Sequence, residues 1–370
     1  MSQYNHSPKT SSSTVLITEK VISSFTPSKL FNYHKGASIT SLDFDDSGQF
    51  LISAGIDKSI QLYDIHKGIH HKDIQSQKYG AHVSRFTHHE LNCLYASTPS
   101  VNLEVDHAIR YLSLADNQYI RYFKGHKEQV TSIEVNPVAD NFLSSSLDFT
   151  VKLWDLKSAS PVGNLDVGQA TIIAYDPQGL VFAIGKSPNP NDDKPGSIGV
   201  VSFYDLKNFD KGPFLSVDVE SLPGQTWSKL EFSNNGKLLL IATDSSEHYI
   251  LDSFSGQLLT TVNVGDKSSR YDGKWMTFKY PSAASTTFTP CGKFLLVGSP
   301  NSTVSVFELN SLRTSDGNSH SVTSSDNPTY LKPSKVIPTQ SGIPKIIAFD
   351  PKLLTFATAD NTVTMWSPNS

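Results

Sequence analysis

The sequence predicts an all-β protein, a seven-bladed propeller. Three observations carry that expectation: one nearly complete four-strand repeat, seven recurrences of its Trp position, and an N-terminal segment able to complete the last repeat. The repeat is clearest in Gly125 to Leu156, GHKEQVTSIEVNPVADNFLSSSLDFTVKLWDL. VTSIEVN alternates apolar and polar residues, as a strand with two different faces should. NPVAD reads as a turn, with Pro137 fixing φ and removing a donor. FLSSS and TVKLWDL are two further strand-like runs around a short Leu147-Asp148-Phe149 corner.

A Gly-His pair opens this segment, a Trp-Asp pair closes it, and an Asp sits on a tight turn before the Trp. That is the pattern of a WD40 repeat, one blade of a propeller. His126, Ser144, Asp148 and Trp154 occupy the positions that form a hydrogen-bonded tetrad in such repeats. The carboxylate accepts from the imidazole, the imidazole reaches the hydroxyl, and the indole N–H completes the chain. Asp, His and Ser also name a serine-hydrolase triad. The spacing is that of a blade, however, and no GxSxG nucleophile elbow occurs.

Aligning on the Trp position gives Tyr63, Leu112, Trp154, Tyr204, Leu251, Phe307 and Trp366. The spacing is somewhat wider than the ~40–45 residues of a compact blade, and the excess falls where insertions are visible. The tight-turn Asp recurs as Asp57, Asp106, Asp148, Asp244 and Asp360; Asn301 replaces it in the sixth blade and the fourth lacks it. Turn signals in DDSGQFLIS, DPQGLVFA, NNGKLLLIA and PCGKFLLVG precede second strands.

The last repeat, IPKIIAFDPKLLTFATADNTVTMWSP, supplies three strands and lacks a fourth. The natural donor is Val21 to Phe31, VISSFTPSKLF, so this segment is expected to pair onto the last blade and close the ring. Closure removes exposed sheet edges that invite aggregation.

Composition narrows the class. At 370 residues the chain fits a single propeller over 15–370 behind a polar, disordered tail at 1–14. No apolar run approaches the ~20 residues of a membrane-spanning helix, and the N-terminus lacks a signal-peptide core. Cys93 and Cys291 make no disulfide framework and no CxxC pair, which points to an intracellular chain. A net charge of −4 argues against broad capture of nucleic acid. Insertions break the repeat near 187–196, 265–285 and 311–333. The first and third are rich in Pro, Asn, Ser and Asp with little apolar content to bury. The second carries Trp275, Phe278 and Tyr280 among basic residues. It reads either as an ordered loop packed on its own blade or as a contact for phosphopeptide or single-stranded nucleic acid.

Several strings go beyond generic blade chemistry: KYGAHVSRFTHH, AIRYLSLADNQYIRYFKGH, SLDFTVKLWDLKS, FYDLKNFDKGPF, WSKLEFSNNGKLLLIAT and FDPKLLTFATA. Across nearly all of residues 20–368 they resemble the WD-repeat subunit shared by the COMPASS histone lysine methyltransferase complex and the cleavage and polyadenylation factor. The resemblance implies a nuclear, non-catalytic adaptor without cofactor or metal. Its partners would be methyltransferase subunits and polyadenylation factors with their phosphatase module. Some members also recognise the phosphorylated C-terminal repeats of RNA polymerase II. The 265–285 and 311–333 insertions exceed the compact family pattern.

In a propeller the loops between blades and the Asp turns emerge on one face, where partner peptides dock. Lys35, Lys58, His82, His107, Lys124, Lys127 and Phe149 are expected there. Lysines neutralise a phosphate carrying roughly −1.5 to −2 charges, and Phe149 could cover a Pro or Tyr of a peptide. Arg85 and Arg121 are added because guanidinium binds phosphate bidentately; the plainer reading pairs them with nearby carboxylates. The pairs His70-His71 and His88-His89 have no partners at zinc-ligand spacing. A propeller enzyme or small-molecule sensor should show carboxylates or histidines converging on the central channel, where Ser, Thr, Ala and Gly are expected instead. An adaptor of another assembly, such as a ubiquitin ligase receptor, is the remaining alternative.

Overall fold

The computed structural model describes residues 15–89, 91–98, 106–189, 197–265, 284–315 and 327–369. Their strands form seven sheets, each entered at the strand that packs against its neighbours around a common axis. Blade one comprises Ile39–Phe44, Phe50–Gly55, Ser59–Asp64 and Ile69–Gln75, all antiparallel. Blades two to six begin at His82–Phe86, Val130–Val135, Thr171–Tyr175, Trp227–Phe232 and Thr286–Phe288, and blade seven at Ile346–Phe349.

All seven equivalents of Trp154 fall on third strands, each opposite an apolar residue of the second. In three blades the pair is aromatic and stacked: Phe142 on Trp154, Phe182 on Tyr204 and Phe356 on Trp366, with ring centroids 5.9, 5.1 and 5.3 Å apart. Such pairs add about 0.5–1.5 kcal/mol beyond the area they bury. The sequence spacing works because this position always packs between sheets.

Phe25–Phe31 pairs antiparallel with Val363–Pro368 and supplies the outer strand of blade seven. The expected donor began at Val21, but Glu19–Ser23 is a helical turn capped by the Thr18 hydroxyl, and it buries Ile22. The new edge is protected against further pairing, since Pro27 offers no N–H and the register shifts between Pro27 and Lys29.

The third insertion departs from expectation. Leaving the third strand of blade six, Thr303–Glu308, the chain crosses to blade five, where the Ser315 N–H and hydroxyl donate to the Asp252 carboxylate at 2.7 and 2.6 Å. Tyr330–Leu331 then runs parallel to Leu258–Asn263 as a fifth strand of blade five. The chain returns as Lys335–Pro338 to complete blade six. Leu312 and Asn327 are buried and Leu331 packs on the core beneath. A tract read as having little to bury therefore has anchored ends. Residues 316–326 lie outside the described residues. So do 1–14, 190–196 and 266–283, including Trp275, Phe278 and Tyr280.

Candidate functional face

The face begins with the devices that hold its turns. In blade three, the His126 Nδ1–H donates to Asp148 at 3.0 Å, and Nε2 accepts from the Ser144 hydroxyl at 2.6 Å. The Trp154 indole N–H donates to the same Ser144 oxygen at 2.8 Å. Asp148 also accepts from the Lys127 N–H at 2.9 Å and from the Thr150 N–H and hydroxyl at 3.0 and 2.7 Å. Burial alone would raise the Asp148 carboxyl. Thr150, Lys127 and His126 outweigh it and hold the group below the usual carboxylate range. Burial lowers the His126 ring against the opposing pull of Asp148. Ser144 is 0% exposed with its hydroxyl committed twice, so it cannot serve as the nucleophile of a hydrolase triad.

Blade one repeats the arrangement with residues the sequence reading did not assemble. His34 joins Asp57 at 3.0 Å and Ser53 at 2.7 Å, and the Tyr63 hydroxyl meets Ser53 at 3.3 Å in place of an indole. The His-to-Asp separations, 23 residues here and 22 in blade three, are the signal that could have found it. Other blades keep the acid and change its partner. Asp106 pairs with buried Arg110, whose guanidinium also donates to Ser97 and lies 3.7 Å over the Tyr79 ring. Asp244 accepts the Thr226 N–H at 2.8 Å beside Gln225, and Asp360 pairs with Lys345 at 2.6 Å.

Because strands alternate in direction, loops entering first strands and loops joining second to third strands share one end of the propeller. Lys35, Lys58, His107, Lys124, Lys127 and Phe149 all lie in such loops. The four lysines are exposed, His107 is half-buried, and Phe149 is 47% exposed. Lys58 and Phe149 occupy the same place in their blades, directly after the tight-turn Asp. Both are left-handed, with φ of 65° and 62°, which throws the side chain outward. Ile56 and Leu147 are exposed in the same two turns. The result is a rim of amines interleaved with apolar side chains.

Three expected members do not belong to it. His82 opens the first strand of blade two at the right end but is 0% exposed, and neither ring nitrogen has a hydrogen-bond partner among the described residues. Burial, then the Arg85 charge, pushes its pKa down to about 3. Arg121 lies on the outer strand Tyr119–Phe123, and its guanidinium donates to the Lys157 carbonyl. Arg85 faces the central channel near the opposite end and pairs with Glu134 at 3.3 Å. Arg85 thus pairs with a carboxylate, as the plainer reading had it, whereas Arg121 bonds a backbone carbonyl instead.

The channel itself corrects a second expectation. One residue before the end of the first strands stand Asp43, Arg85, Glu134 and Glu231 in blades one, two, three and five, with Ala174, Thr287 and Ala348 in the others. Lys229 pairs with Glu231 at 2.7 Å. The Phe86 N–H donates to Asp43 at 2.7 Å and the Phe288 N–H to Glu231 at 3.2 Å, so these acids stitch blade one to blade two and blade five to blade six. They border a cavity of about 370 Å³. Burial pushes Asp43 up to about 7 against the pull of Arg85, and raises Glu134 against Arg85 and Lys229.

Comparison with known proteins agrees with this architecture. The WD domain, G-beta repeat family matches residues 25–64 and 117–155. The Set1 complex component swd2 of Schizosaccharomyces pombe is 35% identical, over 96% of this chain and 99% of its own. The COMPASS component SWD2 of Saccharomyces cerevisiae is 38% identical, over 88% of this chain and 89% of its own. WD repeat-containing protein 82 of Drosophila melanogaster is 34% identical, over 96% and 98%.

Proposed function

Because the chain belongs to the WD-repeat family that these swd2 and WD repeat-containing 82 proteins represent, we propose that it is a non-catalytic scaffold subunit of a Set1/COMPASS-type complex. The observation that carries the reading is near full-length similarity to two relatives named as components of that complex, on a propeller whose triad-like residues are buried. In the fuller form of the proposal the protein works in the nucleus. It couples histone lysine-4 methylation to transcript cleavage, polyadenylation and termination, and it binds phosphorylated C-terminal repeats of RNA polymerase II. The exposed Lys35, Lys58, Lys124 and Lys127, at the same end of the propeller as Phe149, support that last part, since amines and an aromatic together suit a phosphorylated, Pro- and Tyr-containing peptide.

The test is affinity purification of the tagged protein after nuclease treatment, with quantitative mass spectrometry of its partners. Methyltransferase subunits together with polyadenylation factors are expected. Recovery of one set alone would restrict the role to that assembly, and recovery of neither would overturn the proposal. Charge reversal at Lys58, Lys124 and Lys127 together is expected to abolish binding to a phosphorylated C-terminal repeat peptide. Unchanged binding would remove that part of the reading.

A further inference from the structure

The end of the channel opposite the lysine rim carries charges that the stitching role does not exhaust. Acids outnumber cations five to two among the residues bordering the cavity. Both cations are already matched, Arg85 by Glu134 and Lys229 by Glu231. Asp43 borders the cavity with no ion pair among the described residues, one oxygen held by the Phe86 N–H. The lining is mixed: between the charged groups stand Leu42, Phe44, Tyr175, Phe232 and Phe349. An ionised carboxylate in such a place is costly unless a cation joins it.

We propose that this mouth receives one lysine or arginine side chain from a segment of a partner protein, its stem along the apolar members of the lining and its charged end on Asp43. Long basic side chains combine those two properties. Arg85 and Glu134 hold each other in place beside Asp43, so the guest meets an arranged polar floor. A bare metal ion fits less well, since no group of three or more His, Cys, Asp or Glu with metal-binding geometry occurs among the described residues. The site is independent of the lysine rim and of the proposed complex membership, because it lies at the other end and its test needs no complex.

The test uses the purified full chain and fluorescent synthetic peptides with a Gly-Ser backbone and one central arginine, lysine, citrulline or norleucine. The arginine or lysine peptide is expected to bind, and the uncharged ones about tenfold more weakly or worse. Asp43→Asn keeps an oxygen for the Phe86 N–H while removing the charge, and should cost a similar factor. Ala348→Leu, which narrows the mouth without altering charge, should weaken binding as well. Lys335→Gln, on the exposed outer strand of blade six, should not. No binding by any peptide, equal binding of the norleucine peptide, or unchanged binding by folded Asp43→Asn would overturn the proposal. If Asp43→Asn fails to fold by circular dichroism, Ala348→Leu decides by the same criterion.

Discussion

Phe25, in the strand that begins the ring, packs on Phe356, in the second strand of the blade that ends it, with ring centroids 5.1 Å apart. Phe25 also meets Phe349 edge-on at 6.1 Å, so one side chain near the start of the chain completes an aromatic cluster near its end. Backbone pairing and this cluster act on the same seam.

Phe25→Ala should therefore destabilise the protein by about 3 kcal/mol, the usual cost of removing a buried Phe. A differential scanning melt would read it as a lowered Tm. Removing residues 1–31 should go further, exposing the Val363–Pro368 edge and driving aggregation in size-exclusion chromatography. A monodisperse truncated protein with an unchanged melt would show that the seam does not need its N-terminal strand.

Ser144→Ala tests the blade-three tetrad. Losing the hydroxyl leaves His126 Nε2 and the Trp154 indole N–H without their partner in a buried site, at about 2 kcal/mol or more. The same change at Ser53 should cost less, because the Tyr63 hydroxyl is only loosely engaged at 3.3 Å. Equal losses in chemical denaturation would refute that ranking.

Phe149 separates binding from folding. Its φ of 62° is unfavourable for any residue with a Cβ, and its side chain is half exposed. Phe149→Gly is expected to leave the Tm unchanged within a degree or two, or to raise it, while weakening phosphopeptide binding in calorimetric titration. A large fall in Tm would mean that the ring supports the blade.

His82 gives a pH dependence of known sign. Its folded pKa, about 3, lies below the ordinary 6.5, so between those values the unfolded chain holds a proton that the folded chain does not. This contribution to stability is complete above pH 6.5 and is lost as the pH falls toward 3. His248, lowered by burial to about 4, acts in the same direction. Asp43, raised to about 7, acts oppositely between pH 3.8 and 7. The diagnostic is thus a difference: relative to wild type, His82→Met should gain Tm as the pH drops from 7 to 5. Parallel melting curves for the two proteins would contradict the assignment.

The propeller was legible because its signals are local and repeated. Trp154 and its equivalents mark third strands by spacing alone, and Asp57 and Asp148 mark the turns before them. What the turns bond to was less visible. Arg110, on a third strand, replaces a histidine that elsewhere lies in the loop before the first strand, so its pairing with Asp106 depends on a register that spacing does not encode. Lys58 and Phe149 reach the rim because a left-handed turn follows from a short Asp corner. His82 lies at the same end but is buried, a distinction between neighbouring loop-end residues that only packing makes. The channel charges escaped notice because a one-residue bulge in first strands, as between Ile39 and Ser41, alters which side chains face the axis.

The excursion that lays Tyr330–Leu331 along blade five before returning to finish blade six works as a lap joint. Blade six cannot release its outer strand without slackening the segment fastened to its neighbour, through Ser315 on Asp252 at one end and the Thr260 hydroxyl on the Pro328 carbonyl at the other. A ring under tension parts at its weakest seam, and this splice moves that seam elsewhere. Pulled from its two termini, the molecule should peel first at the strand Phe25–Phe31, with blades five and six coming apart together.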